Sequence, residues 1–131
     1  MDFKTEVIRR KRILLVEDER DVRTALRLLL TRDAYSVVEA NNGAEAFALF
    51  LKAQFDLIMT DMEMPFIKGN ELASKIKRAA PRQPILMLTA YDHKPGLDNP
   101  VDAVLKKPFD CAGLRETMTR LLSQSDEHSL K

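Results

Sequence analysis

The chain has 131 residues, enough for one domain with a real core and too few for two ordinary ones. Its 45% hydrophobic and 31% charged residues are those of a globular protein, and 21 Lys plus Arg against 20 Asp plus Glu leave no global field to draw nucleic acid. No apolar run approaches the roughly 20 residues that span a bilayer, and the single Cys111 excludes an internal disulfide or a cysteine-rich zinc site.

The charged start, Met1 to Arg12, lacks the apolar stretch of a secretory signal, so a cytoplasmic protein is expected. Past this basic lead, residues 1–11, Ile13-Leu14-Leu15-Val16 is a short continuous apolar run ending in acids. Such a run fits a strand buried on both faces. Val22, Ala25, Leu26, Leu29 and Leu30 then follow helical spacing. Tyr35 to Glu39 reads as a second strand. Asn42-Gly43-Ala44-Glu45 has capping-box character and opens a helix with the apolar stripe Ala44, Phe47, Ala48 and Leu51.

Asp56 to Thr60 is the third strand, and Leu72, Ala73, Ile76 and Ala80 mark a helix stopped by Pro81. Pro84 to Leu88 is the fourth strand and Ala103 to Leu105 the fifth. Asp110 caps a last helix carrying Leu114, Met118, Leu121 and Leu122, and residues 123–131 form a polar tail expected to fray. Alternating strands and helices with uniformly apolar strands predict an α/β domain over residues 12–122, a doubly wound parallel sheet covered on both faces.

In open α/β sheets ligands bind beyond the carboxyl ends of the strands. Those ends carry Glu17 and Asp18, then Asp61, then Thr89, then Lys106 and Lys107. Clustered carboxylates repel unless something positive sits among them, and Mg²⁺ commonly takes one or two carboxylates while keeping room for phosphate oxygens. An aspartate can itself be the nucleophile toward phosphorus, and a lysine and a hydroxyl would steady the transferred group.

The segments Val16-Glu17-Asp18-Glu19, Asp61-Met62-Glu63-Met64-Pro65, Leu88-Thr89-Ala90 and Lys107-Pro108-Phe109, in that order at strand ends, resemble the signature of response-regulator receiver domains. The resemblance runs from about Arg12 to about Leu122. It implies a flavodoxin-like five-stranded sheet of order 2-1-3-4-5 and an Asp61 that accepts a phosphoryl group from a histidine kinase or a phosphotransfer protein. It implies Mg²⁺, or Mn²⁺, on the Asp18 and Asp61 side chains and the Glu63 backbone carbonyl, with Glu17 acting through water. Thr89 and Lys107 would contact phosphoryl oxygens, Lys106 being the weaker lysine, and the Lys107–Pro108 peptide would be cis. The implied module switches contacts with a downstream protein or output domain, and a homodimer is possible. Neither direct nucleic-acid binding nor membrane insertion is expected, nor enzymatic turnover beyond phosphorylation and slow dephosphorylation of its own aspartate.

Two departures stand out. His93 to Pro100 holds two prolines and a glycine, so the family's helix between the fourth and fifth strands should be shortened or lost. Val104 stands where the family usually has Tyr or Phe. Phe66, where glycine commonly follows the proline, is a smaller departure. These leave a receiver-like domain that no longer switches as the alternative, with an aspartate-nucleophile phosphohydrolase, using Glu63 as second acid, behind it. Outside the site, Cys111 reads as a partly buried residue, His93 and His128 as surface residues, and the methionines as core filler.

Overall fold

The computed structural model describes the backbone of residues 9–129 and the side chains of residues 9–124. The expectations placed on residues 1–8 and on the side chain of His128 lie outside the described residues. The elements run β1 (Arg12–Val16), α1 (Arg20–Arg32), β2 (Ser36–Ala40), α2 (Gly43–Lys52), β3 (Leu57–Asp61), α3 (Gly69–Ala79), β4 (Ile85–Thr89), β5 (Ala103–Lys106) and α4 (Cys111–Ser129). All strand pairs are parallel and the sheet order is β2-β1-β3-β4-β5. This is the predicted fold.

Alternate strand residues face opposite sides of a sheet, and here each side has its own core. Ile13, Leu15, Leu57, Met59, Leu86 and Leu88 pack with Leu26 and Leu30 of α1 and with Leu114, Met118 and Leu121 of α4. Leu14, Val16, Ile58, Ile85 and Met87 pack on the other side with Ala46 of α2 and with Leu72, Ala73 and Ile76 of α3. Met59, Met64, Met87 and Met118 are buried, as core filler should be.

The Asn42 side chain accepts from the Glu45 amide at 2.8 Å. Glu45 reaches back one residue further than a capping box requires, to the Asn41 amide at 2.7 Å. The stripe expected on α2 needs correction. Ala44, Ala48 and Leu51 are exposed, and the core face is Ala46, Phe47, Leu49 and Phe50. The segment Ala44 to Leu51 is apolar at every position but Glu45, so periodicity alone could not choose its inner face.

Asp110 caps α4 through the Gly113 amide, 2.7 Å away. The helix runs to Ser129, so it takes in part of the polar tail that begins at residue 123. Among the described residues no helix separates β4 from β5. The 90–102 connection holds one short bridge, Gly96 to Asn99. It is anchored by Val101 in the α3-side core, by Asn99 Nδ2 on the Lys94 carbonyl at 3.0 Å, and by Asp102, whose carboxylate accepts from Lys77 and from the Ile85 amide, each at 2.8 Å.

Candidate functional site

The carboxyl ends of β1, β3, β4 and β5 bring the predicted residues to one rim. Glu17 leaves β1 with its amide on the Ala40 carbonyl, 3.1 Å away. Its own carbonyl accepts from Arg23 Nη1 at 2.8 Å. Arg23 is shared with Glu39 of β2 at 3.3 Å, so α1 clamps the acidic turn to the neighbouring strand. Glu17, the first residue past β1, is buried, only 1% exposed. Its Oε2 accepts from the Glu19 amide at 3.1 Å, whereas Oε1 is buried with no hydrogen-bond partner. Neither Glu17 nor Asp18 caps α1; Glu19 holds that position, without a side-chain bond.

Asp61 is the last residue of β3 and 4% exposed. Lys107 Nζ lies 3.0 Å from its Oδ1 and 3.7 Å from Glu17 Oε1. Oxygens of Glu17, Asp18 and Asp61 all lie within 4.8 Å of one another. Burial pushes the Glu17 carboxyl up to about 7, against the pull of the Glu19 amide, and the nearby Asp61 charge adds to the rise. Burial also raises Asp61, opposed by its bond to Lys107. On Lys107 burial acts downward, but its hydrogen bond to Asp61 and the charges of Asp61, Glu17 and Glu63 leave it raised.

Thr89 ends β4, and its hydroxyl donates to Glu63 Oε2 at 2.8 Å. Glu63 Oε1 accepts from the Ala90 amide at 3.3 Å, and His93 Nε2 stands 3.7 Å from Oε2. His93, expected at the surface, is half-buried, with Nε2 facing Glu63. Lys106 is exposed and bound to Asp92 at 2.7 Å. The Lys107–Pro108 peptide is cis, as expected. Cys111, expected to be partly buried, is exposed at the start of α4.

Two contributors escaped the sequence reading. A Cβ on Gly69 would lie 2.8 Å from Met62 Cα and closer still to the Asp61 carbonyl oxygen, so α3 begins directly against the backbone of the site. The Gly69 amide also donates to the Met62 carbonyl at 3.0 Å. The second is the contact of the Glu63 side chain with Thr89, which joins residues 26 apart and which no local pattern signals.

Chemically, three carboxylates face a single lysine, and one buried carboxylate oxygen lacks a donor. That donor set suits a hard divalent cation, which neutralises clustered carboxylates that would otherwise resist ionisation.

Comparison with known proteins bears on this arrangement. A sequence profile described as the response regulator receiver domain matches residues 13–119. The transcriptional regulatory protein ResD of Bacillus subtilis (strain 168) is 40% identical over 102 residues, covering 75% of this chain and 42% of that protein. The transcriptional regulatory protein PcoR of Escherichia coli is 34% identical over 119 residues, covering 88% of this chain and 53% of its own. The chain thus spans about half the length of these curated relatives. Among solved structures, the response regulator protein TrrA from Thermotoga maritima, in complex with Mg²⁺-BeF, superposes with a TM-score of 0.80 at 36% identity, covering 85% of this chain and 98% of that one. The same regulator is also known in complex with the histidine kinase ThkA, with a TM-score of 0.79, 36% identity, and coverage of 86% and 98%.

Proposed function

Because the chain belongs to the response regulator receiver domain family, we propose that it is switched by phosphorylation of Asp61 in a divalent-cation pocket. It is a receiver domain of the two-component type, and its relatives are response regulators. The observation that carries the residue-level reading is the buried Asp61 bonded to Lys107 beside Glu17 and Asp18. A kinase complex of a similar regulator supports a histidine kinase, or a phosphotransfer protein, as donor.

In this reading one Asp61 oxygen attacks phosphorus, the phosphorus–nitrogen bond of the donor phosphohistidine breaks, and the imidazole leaves with its electron pair. Lys107, already paired with Asp61, follows the charge onto a phosphoryl oxygen. The Thr89 hydroxyl donates to another. Asp18 and Asp61 side chains with the Glu63 carbonyl would hold Mg²⁺ or Mn²⁺, with Glu17 bonding a bound water. The ion supplies neutralisation of the charge gathered on the phosphoryl oxygens. Water later hydrolyses the acyl phosphate, so turnover is confined to the protein's own aspartate. The reading places the domain in the cytoplasm, where a downstream protein or output domain, or a second copy, receives the signal. Among the described residues no helix is long and apolar enough to cross a membrane.

Incubation with Mg²⁺ and a small phosphodonor should add the mass of one phosphoryl group, and Asp61→Asn should abolish the gain. An unmodified wild-type protein under conditions that phosphorylate a reference receiver would refute the assignment. The second reading, a receiver that no longer switches, draws on Val104 and the missing helix between β4 and β5. Unchanged spectra and partner binding after phosphorylation would favour it. Glu63 is already engaged with Thr89 and Ala90, which speaks against its serving as the second acid of a phosphohydrolase.

A further inference from the structure

We propose that the Glu63 carboxylate is a latch on Thr89, and that its release couples Asp61 phosphorylation to the loop between β4 and β5. The proposal rests on the phosphoacceptor reading of Asp61 and adds a positioning residue to it.

A threonine hydroxyl has one proton to donate. Here that proton goes to Glu63 Oε2 at 2.8 Å, so it is not available to a phosphoryl oxygen. The same carboxylate takes the Ala90 amide at 3.3 Å and faces His93 Nε2 at 3.7 Å. Positions 89, 90 and 93 are therefore gathered on one side chain, at the root of the 90–102 connection. The Tyr91 amide is held on Thr89 Oγ1 at 3.1 Å, so a turn of the threonine is felt one residue further along.

Glu63 stands two positions past Asp61, on the loop that leaves the site. A phosphoryl group on Asp61 acts on it twice. It offers the Thr89 proton a second charged acceptor, so the Glu63 carboxylate no longer has sole claim on it. It also sets new negative charge near a carboxylate that already raises the Asp61 carboxyl through its own charge. Once Thr89 turns, Glu63 keeps the long bond to Ala90 and the 3.7 Å approach of His93, and the loop root loses its shortest tie.

This device occupies the gap left by the two departures in the chain. Val104 has no planar arm to bury or expose, and no helix lies between β4 and β5. In its place the chain leaves β4 as a loop with Tyr91 and Leu97 exposed, tied to the site through Glu63.

The test compares wild type, Glu63→Gln and Glu63→Ala by amide NMR and by titration with beryllofluoride in the presence of Mg²⁺. Gln loses the charge but keeps an acceptor oxygen for Thr89; Ala loses both, so their difference isolates the latch. In the free Glu63→Ala protein, the Ala90, Tyr91 and His93 amides should move from their wild-type positions toward those of the wild-type beryllofluoride complex. Glu63→Ala should bind beryllofluoride roughly three- to tenfold more tightly than Glu63→Gln, the worth of one hydrogen bond. Equal affinities of the two variants, or free-state amides of Glu63→Ala that coincide with wild type, would overturn the latch while leaving a beryllofluoride-binding Asp61 intact. If the wild type takes up neither beryllofluoride nor a phosphoryl group, the Asp61 reading falls and the latch falls with it.

Discussion

Phe66 and Ala34 hold backbone angles of φ 69° and φ 72°, a region that residues bearing a Cβ enter at a cost of about 1–2 kcal/mol. Phe66 is 95% exposed, so its ring contributes little packing in return. Ala34 closes α1, with its amide on the Thr31 carbonyl at 3.0 Å and the Tyr35 amide on the Leu30 carbonyl at 3.1 Å, a helix ending that glycine usually serves. Glycine gives back about 0.5–1 kcal/mol in unfolded-state entropy. Phe66→Gly and Ala34→Gly should therefore each stabilise the protein by up to ~1 kcal/mol. Urea denaturation would read this as a higher midpoint at unchanged slope; a lower midpoint in either would mean the side chain packs better than its exposure says. At this scale the sequence was informative wherever chemistry follows strand order. Glu17, Asp18, Asp61 and Lys107 needed only the ends of the strands to be found. The Thr89–Glu63 pairing was hidden because both residues were already assigned to other partners, one a phosphoryl oxygen and the other an ion at its carbonyl.

Elements differ in how plainly they announce themselves. The strands did so because each is a short apolar run buried on both faces, and the loss of a helix after β4 followed from Pro95, Gly96 and Pro100. The inner face of α2 did not, since Ala, Phe and Leu surround it. The junction of β3 with α3 was silent for another reason: a glycine at a helix start looks like a weak helix former, and its use here is to let two backbones touch. Gly69→Ala must move α3 off the Asp61 carbonyl or bend the end of β3. Overpacking of this kind costs ~1–3 kcal/mol, and the displacement falls on the residue proposed to take phosphate. The variant should melt earlier than wild type and also phosphorylate more slowly from a small donor at a temperature where it is fully folded. A loss of stability with an unchanged phosphorylation rate would confine Gly69 to packing.

For the whole molecule the buried acids set a conflict between folding and the proposed ion site. Glu17 titrates near 4.5 when unfolded and at about 7 when folded. Between those values the folded chain holds a proton that the unfolded chain has given up, so stability falls as pH rises through that window. Asp61 is raised as well and acts in the same sense, from a lower starting value of 3.8. Lys107 is raised from 10.5, so its favourable contribution is lost only at higher pH, outside the window. One pKa unit corresponds to about 1.4 kcal/mol, which makes the loss from Glu17 on the order of 2 kcal/mol once relaxation of the pocket is allowed for. Without divalent ions the protein should therefore melt several degrees lower near pH 8 than near pH 5, a shift that calorimetry would detect. Glu17→Gln should remove much of that difference by removing the buried charge. Mg²⁺ should raise the melting temperature near pH 8 and far less near pH 5, because binding to the folded state alone stabilises it and the ligands must first ionise. In Glu17→Gln the Mg²⁺ effect should shrink even as the ion-free protein grows more stable. A Glu17→Gln protein that is less stable near pH 8 and responds to Mg²⁺ as wild type does would show that Glu17 is buried for packing, with no part in holding an ion.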